Sequence, residues 1–284
     1  MTKAARRSTE SSTADRRPDP RASAVLFCAG DDYKTMNALH AMTSPLPQID
    51  RARLPRHIAV IMDGNGRWAQ RRGVSRAKGH EAGAKSVRAV VEACRELQRI
   101  EVLSLYAFST ENWRRSKVEV GALFRLLSKY IQLELQTIHR ENIRVSVMGR
   151  REGLPQRAIE DLDYAMELTK NNSAMVLNVA INYGSRAEIA DAAKRIAAEA
   201  AAGRLDPNTV DEACVARHLY VPGLPDPDLL IRTSGEMRLS NFMLWQLSYT
   251  EVVVMQTLWP DFRKRHLYEA IREFQSRQRR FGGR

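Results

Sequence analysis

Six short, nearly continuous apolar runs, each followed by a longer amphipathic stretch, constrain this 284-residue chain more than any other feature. The runs are HIAVIMD (57–63), VLSLYAFS (102–109), IRVSVMG (143–149), MVLNVAIN (175–182), LLIRTSG (229–235) and EVVVMQT (251–257). A strand that is apolar along its whole length is covered on both faces. Between the runs, Val87, Val90, Cys94 and Leu97 keep a helical period. So do Leu123, Leu127, Tyr130 and Ile131, and then Ile159, Leu162 and Met166 after Pro155 at a first helical position. Ser185 and Glu188 spell a capping box, and Gly203 closes that helix. The alternation predicts an α/β fold: a single domain with a central, mostly parallel six-stranded sheet flanked by helices on both faces. Ligands of such sheets bind beyond the carboxyl ends of the strands.

Charge is the feature that most invites a different reading. The formal net charge is +12, yet residues 1–54 carry +3 and residues 263–284 carry +6, so only +3 is left for the 208 residues between. Such a distribution fits a solvated tail and a basic terminal helix, not a continuous nucleic-acid face, and no nucleic-acid partner is expected. Residues 1–50 are rich in Ser, Thr, Arg, Ala and Pro without a hydrophobic period and are expected to be a disordered extension, with the folded domain spanning 51–284. Cys28, Cys94 and Cys214 lack metal-site or disulfide-framework spacing. No run approaches the ~18 apolar residues of a membrane span, and the start lacks a signal-peptide layout. A reducing, cytoplasmic compartment is expected, with any membrane contact peripheral and at the inner face.

Asp63 ends the first run, and Gly64, Asn65, Gly66, Arg67 and Trp68 follow it. A carboxylate at a strand's carboxyl end, glycines that let backbone N–H groups approach an anion, and a forked cation suggest Mg²⁺ with a diphosphate. An ordinary strand-to-helix turn, with glycine at positive φ and Asp as a cap, explains the same residues equally well. An EF-hand is excluded because its twelfth position is Val74, and no GxxxxGK[ST] is present. The second run adds Ser109, Glu111, Asn112, Trp113 and Arg115 at the same predicted edge, and the fifth adds Arg232, Ser234, Arg238 and Ser240. Several arginines with two hydroxyls and little nearby acid imply a second anion. Glu251, opening the sixth run, is a further candidate metal ligand.

HIAVIMDGNGRWA, GH at 79–80, YAFSTENW, IRTSGE, Arg238 with SNF, LWQ, Glu251, LWPDF and RRFGG, in this order, resemble the cis-prenyltransferases, in particular bacterial undecaprenyl diphosphate synthases. The resemblance implies repeated condensation of isopentenyl diphosphate onto an allylic diphosphate such as farnesyl diphosphate, each new double bond cis. It implies Mg²⁺ held by Asp63 and completed by Glu251, and an allylic diphosphate cradled by Gly64, Asn65, Gly66 and Arg67, with Trp68, Arg76 and His80 in the same region. Ser109, Thr110, Glu111, Trp113 and Arg115 then shape the condensation site, and Arg232, Arg238, Leu239 and Ser240 hold isopentenyl diphosphate. The family gives proton removal to the position of Asn112; a carboxamide is a weak base, so Asn112 is expected to orient substrate while a diphosphate oxygen or water takes the proton. An apolar tunnel for the prenyl chain is implied, with room left by Ala107 and an end near Met175, as is a homodimer in which Arg280 to Gly282 reach the partner's site. Ser116, Leu239 and Ser234 depart from the usual proline, isoleucine and glycine.

Three other function classes stay open. A basic RNA-binding protein, suggested by a pI near 9.9, would show binding that weakens steeply with salt. A noncatalytic partner subunit of the same fold would lack the Asp and Arg set that this chain has. A Mg²⁺-dependent phosphohydrolase would release phosphate without forming a carbon–carbon bond.

Overall fold

The computed structural model describes residues 46–278. Most of the expected disordered extension, and the Arg280–Gly282 segment, lie outside the described residues. Six strands form one all-parallel sheet: β1 (His57–Ile61), β2 (Val102–Ser109), β3 (Ile143–Met148), β4 (Met175–Tyr183), β5 (Leu229–Arg232) and β6 (Glu251–Val254), in the order β3-β4-β2-β1-β5-β6. Among the described residues seven α-helices flank it: α1 (Asn65–Arg71), α2 (Arg76–Leu97), α3 (Lys117–Arg140), α4 (Gln156–Thr169), α5 (Ser185–Ala201), α6 (Glu212–Arg217) and α7 (Lys264–Ser276).

Alternate residues of the central strands feed two cores, as a pleated strand covered on both faces requires. Ile58 and Val60 of β1, with Leu103, Leu105 and Ile231, pack against Val90, Cys94 and Leu97 of α2 and Leu267, Ile271 and Phe274 of α7. Ala59 and Ile61 turn the other way, toward Leu230, Tyr183 and Phe242. Phe124 of α3 and Leu162 of α4 close a third cluster over Phe108 and Ile181. The chain leaves β1 toward β2 on one side and β5 toward β6 on the other. These diverging connections open a crevice at the carboxyl ends of β1 and β5.

Two local expectations change. The Ser185–Glu188 capping box does not form, because Gly184 is the N-cap and Ser185 Oγ accepts from the Leu244 N–H. Glu188 is instead buried, where it accepts from the Tyr183 hydroxyl, the Tyr220 N–H and Gln246. Gly203 does close α5, at φ +68°. The first, fifth and sixth strands also stop two or three residues short of their apolar runs. Their last residues turn out of the ladder to build the site.

A buried polar chain crosses the sheet on the Ala59 face. His57 Nδ1 donates to the Pro225 carbonyl (2.7 Å), so its Nε2 accepts from Ser104 Oγ (2.8 Å), which in turn accepts from Asn178 Nδ2 (3.0 Å). Burial lowers the His57 pKa from 6.5 to about 4, opposed by the Pro225 bond. The unfolded chain therefore takes up this proton at a pH where the native chain does not, and stability contributed by neutral His57 is lost as pH falls from about 6.5 toward 4. Urea titrations over that window should show a loss of about 3 kcal/mol from this group. In His57→Gln the overall stability will be lower but its slope against pH flatter, and an unchanged slope would contradict the assignment.

Candidate active site

Asp63 is the second residue past β1, and its backbone is fixed from three sides. Its N–H donates to Ile61 O (3.0 Å) and to Thr233 Oγ1 (2.9 Å), and its carbonyl accepts from the Trp259 N–H (3.0 Å) and the Thr233 hydroxyl (2.6 Å). Gly64 follows at φ +110°, a conformation that costs any residue with a Cβ, and a Cβ there would also lie 2.9 Å from Leu258 Cδ2. This turn starts α1 at Asn65, so the strand-to-helix turn with a glycine at positive φ is present, and its helix N-terminus faces the site. Trp68 N–H makes the first bond of the helix, to Gly64 O (2.8 Å), and the N–H groups of Asn65, Gly66 and Arg67 precede it without intrahelical partners. The turn is held close by α2, whose Gly79 and Gly83 let Asn65 approach: a Cβ at Gly79 would stand 2.3 Å from the Asn65 carbonyl oxygen.

The Asp63 carboxylate faces two arginines. Arg232, the last residue of β5 and nearly fully buried, donates to Oδ2 at 2.9 Å, and Arg67 Nη2 lies 3.4 Å from Oδ1. Burial alone would raise the Asp63 pKa; the Arg232 bond, the charges of Arg232 and Arg67 and the Gly64 N–H outweigh it and hold the carboxyl below its ordinary range. Asp63 is an anion at neutral pH. Arg232 also donates to Ser240 Oγ (2.7 Å) and to the Arg238 carbonyl, which brings the 238–240 segment to β1, while its enclosed Nε has no partner. Arg67 is clamped by Ser234, donating to its carbonyl (3.0 Å) and its hydroxyl. Ser234 holds this place at φ +75°, an unusual conformation for a non-glycine residue.

β2 supplies the opposite wall. Asn112 lies in the 3₁₀ turn after Ser109, and its Oδ1 accepts from the Ser109 N–H (3.1 Å), which fixes the carboxamide and leaves its NH₂ group as a donor toward whatever approaches. Arg115 donates to Glu119 (2.9 Å), with Arg76 at 3.5 Å and His80 at 3.9 Å from the same carboxylate. Burial, then the Arg115 charge, lower the His80 pKa to about 4 against the pull of Glu119, so the ring is neutral at pH 7.

Asp63, Asn65, His80, Ser109, Asn112 and Arg232 share one cavity of about 970 Å³ with Arg115 and Ser240. Beyond this polar mouth the cavity runs between α2 and α3 over Ala107, Val91, Leu127 and Ile138. It reaches Gln98 and Glu141, passing Ile143 and Leu177 but not Met175, which is buried in the sheet core beside them. From His80 to Gln98 it follows α2 for about 27 Å.

Other expected site residues lie elsewhere. Trp68 Nε1 donates to Asp261 (2.7 Å) with Arg72 stacked on its ring at 4.2 Å, and Trp113 Nε1 donates to Asn182 (2.7 Å). Glu111 accepts from Asn241, Leu239 packs against the Phe242 cluster, and Thr110 lies beside Gly184. These side chains line the supporting layer, not the cavity wall. Arg76 and Arg238 are exposed, Arg238 on Glu236. Glu251 is the clear correction to the single-rim expectation. In a parallel sheet a strand start lies at the amino edge, and Glu251 pairs with Leu229 at the start of β5, three residues before Val254, the partner of Arg232. It binds Arg277 at 2.9 Å, and within one chain it is not brought to Asp63. The expectation of little nearby acid also fails, since Glu119 and Glu236 partner Arg115, Arg76, Arg67 and Arg238. Glu119 sits four residues after Arg115, a helical spacing that the sequence displayed without marking it as part of the site.

A carboxylate kept ionised, unspent N–H donors at a helix start and a buried guanidinium with a free Nε suit a polyanion whose remainder is apolar. The chain's relatives agree with that chemistry. Residues 61–282 match the family model described as "Putative undecaprenyl diphosphate synthase". The chain is 52% identical over 236 residues to the isoprenyl transferase of Heliobacterium mobile, covering 83% of this chain and 90% of that one. It is 51% identical over 237 residues, 84% of each chain, to the trans,polycis-polyprenyl diphosphate synthase, (2Z,6E)-farnesyl diphosphate specific, of Thermobifida fusca. The crystal structure of lavandulyl diphosphate synthase from Lavandula x intermedia, in complex with dimethylallyl diphosphate, superposes with a TM-score of 0.79 at 36% identity over 81% of this chain and 99% of that one. With the six-stranded sheet and the diphosphate-suited mouth in place, these matches show that the chain belongs to the isoprenyl transferase family of undecaprenyl diphosphate synthases, the cis-prenyltransferases.

Proposed function

We propose that this enzyme condenses isopentenyl diphosphate with farnesyl diphosphate as allylic starter and repeats the step to a medium or long polyprenyl diphosphate. Undecaprenyl diphosphate, the lipid carrier precursor for cell-wall synthesis, is the product that best suits the resemblance. The carrying observation is the ionised Asp63, held between Arg232 and Arg67 at the polar mouth of a cavity whose far walls are apolar. Breaking the allylic C–O bond places negative charge on the departing diphosphate, and the isopentenyl unit gives up a proton as the new carbon–carbon bond forms. The N–H groups of Asn65, Gly66 and Arg67 and the Arg67 guanidinium stabilise the first charge in place. Arg232, Arg238 and Ser240 position the second diphosphate. Asn112 orients the isopentenyl unit, and a diphosphate oxygen or water takes the proton. The tail occupies the channel between α2 and α3, excluded from water.

The donor set fits Mg²⁺, which is commonly bound through one or two carboxylates and substrate phosphates without an all-protein cage. Asp63 is the residue that would hold it, and the ion would neutralise charge on the diphosphates. The enzyme is proposed to act as a homodimer completed by Arg280 to Gly282 and to work in the cytoplasm. Incubation with both diphosphates should release inorganic diphosphate only when both are present and only with Mg²⁺. Release of orthophosphate from either alone would favour a phosphohydrolase.

Ser234 gives a finer prediction. Ser234→Gly removes the hydroxyl that anchors one arm of the Arg67 fork while easing the left-handed backbone. The KM for the allylic diphosphate should rise about 5-fold, the value of one hydrogen bond, with kcat within twofold and the unfolding midpoint unchanged. Steady-state kinetics with each substrate varied in turn checks this.

A further inference from the structure

The outer side of α3 has no role in the site just described, yet its composition is one-sided. Val118, Arg125, Lys129, Gln136 and Arg140 fall on one helical face and are solvent exposed along the full helix, about 36 Å. Val118 is 79% exposed, and Leu133, on the same side, is 59% exposed. No acidic residue falls on this face: Glu119 and Glu134 are turned to Arg115 and Arg88. Arg125 and Arg140 form no ion pair with a carboxylate among the described residues, and Lys129 has only the longer-range attraction of Glu81, which faces it from α2 across a groove and is itself bound to Lys78 at 2.9 Å. Beside the face, a groove of about 560 Å³ between the N-terminal halves of α2 and α3 shares His80, Leu123 and Leu126 with the large cavity.

We propose that this face of α3 docks on an anionic lipid bilayer. Val118 and Leu133 enter the interface, and Arg125, Lys129 and Arg140 meet lipid phosphates, as an amphipathic basic helix does when it lies in the membrane plane. A nucleic-acid backbone would satisfy the cations equally, but it has no use for exposed aliphatic tips, and the face carries no aromatic side chain on which a base could stack. His80, Leu123 and Leu126 form a wall common to groove and cavity, so docking would bring the wall of the proposed lipid-product cavity to the acyl boundary, a consequence that rests on the proposed function, whereas the charge and exposure of the face do not.

Flotation of the full-length protein with vesicles of phosphatidylglycerol mixed with phosphatidylcholine, and with phosphatidylcholine alone, tests it. Wild-type protein should float with the anionic vesicles only, and less so as salt is raised. The double substitution Arg125→Glu/Lys129→Glu should reduce binding at least 10-fold with turnover on soluble diphosphates in detergent within twofold. Val118→Asp should weaken binding while leaving its salt dependence in place. Should the charge reversal disturb folding, as read by circular dichroism, Arg125→Gln/Lys129→Gln replaces it with the same expectation. Wild-type protein that does not bind anionic vesicles, equal binding by wild type and variants, or a short RNA that binds this face while vesicles do not would each overturn the proposal. Vesicle binding needs no substrate, so a protein inactive on diphosphates that still binds through α3 would sink the proposed function and leave this surface standing.

Discussion

Asp63→Asn is expected to lower turnover on the order of 10³-fold while the protein stays folded. The substitution keeps the shape of the side chain and an oxygen for Arg232 at 2.9 Å, but removes the charge that Arg232 and Arg67 hold in place. Arg232 retains Ser240 Oγ and the Arg238 carbonyl, so its buried guanidinium is not left without acceptors, and the stability cost should be about 1–2 kcal/mol. Loss of turnover without loss of fold, read by single-turnover kinetics beside urea unfolding, separates chemistry from scaffold. Wild-type rates in this variant would remove Asp63 from the reaction.

Gly79→Ala should be nearly as damaging for a different reason. A single methyl group there would sit 2.3 Å from the Asn65 carbonyl oxygen and 3.1 Å from Ala69 Cβ, and backbone cannot yield as a flexible side-chain tip can. α2 and α1 must separate, at a cost of about 1–3 kcal/mol, and the first turn of α1 is displaced from Asp63. Turnover should drop by at least tens of fold, with the KM for the allylic diphosphate rising. Gly121→Ala in α3 is the matching control, since its new Cβ would meet only the flexible end of Arg125, at 3.3 Å. There the better helix former should add up to about 1 kcal/mol with turnover intact.

These two residues mark the boundary of what the amino-acid order makes legible. Asp63 could be placed at the carboxyl edge of a parallel sheet because β1 is apolar on both faces and the next two apolar runs, like it, precede amphipathic stretches. Arg232 followed by the same logic, being the last residue of β5. The strand-to-helix turn after Asp63 was legible as one of two readings, but how α1 persists with two glycines in three positions was not, because tertiary packing on Gly79 and Gly83 overrides their low helix propensity. Glu251 looked like a rim residue because it adjoins a strand; only the parallel register, which sets it opposite Leu229, puts it at the other edge. Glu188 carried a cap signature and became a buried acceptor, since Gly184 could take the N-cap and Tyr183, Tyr220 and Gln246 all needed a partner. Propensity and pattern thus locate strands and their ends, whereas the pairing of Arg76 with Glu119 or Trp68 with Asp261 depends on how separate elements meet.

An enzyme with this mouth and this cavity is expected to build a cis-polyprenyl chain. Incubation with radiolabelled isopentenyl diphosphate, farnesyl diphosphate and Mg²⁺, followed by butanol extraction and thin-layer chromatography of the product, tests it most directly. Label should appear in an extractable ladder of polyprenyl diphosphates that ends at a medium or long chain and is absent with Asp63→Asn. No extractable product from folded protein, with an active control enzyme run alongside, would contradict it.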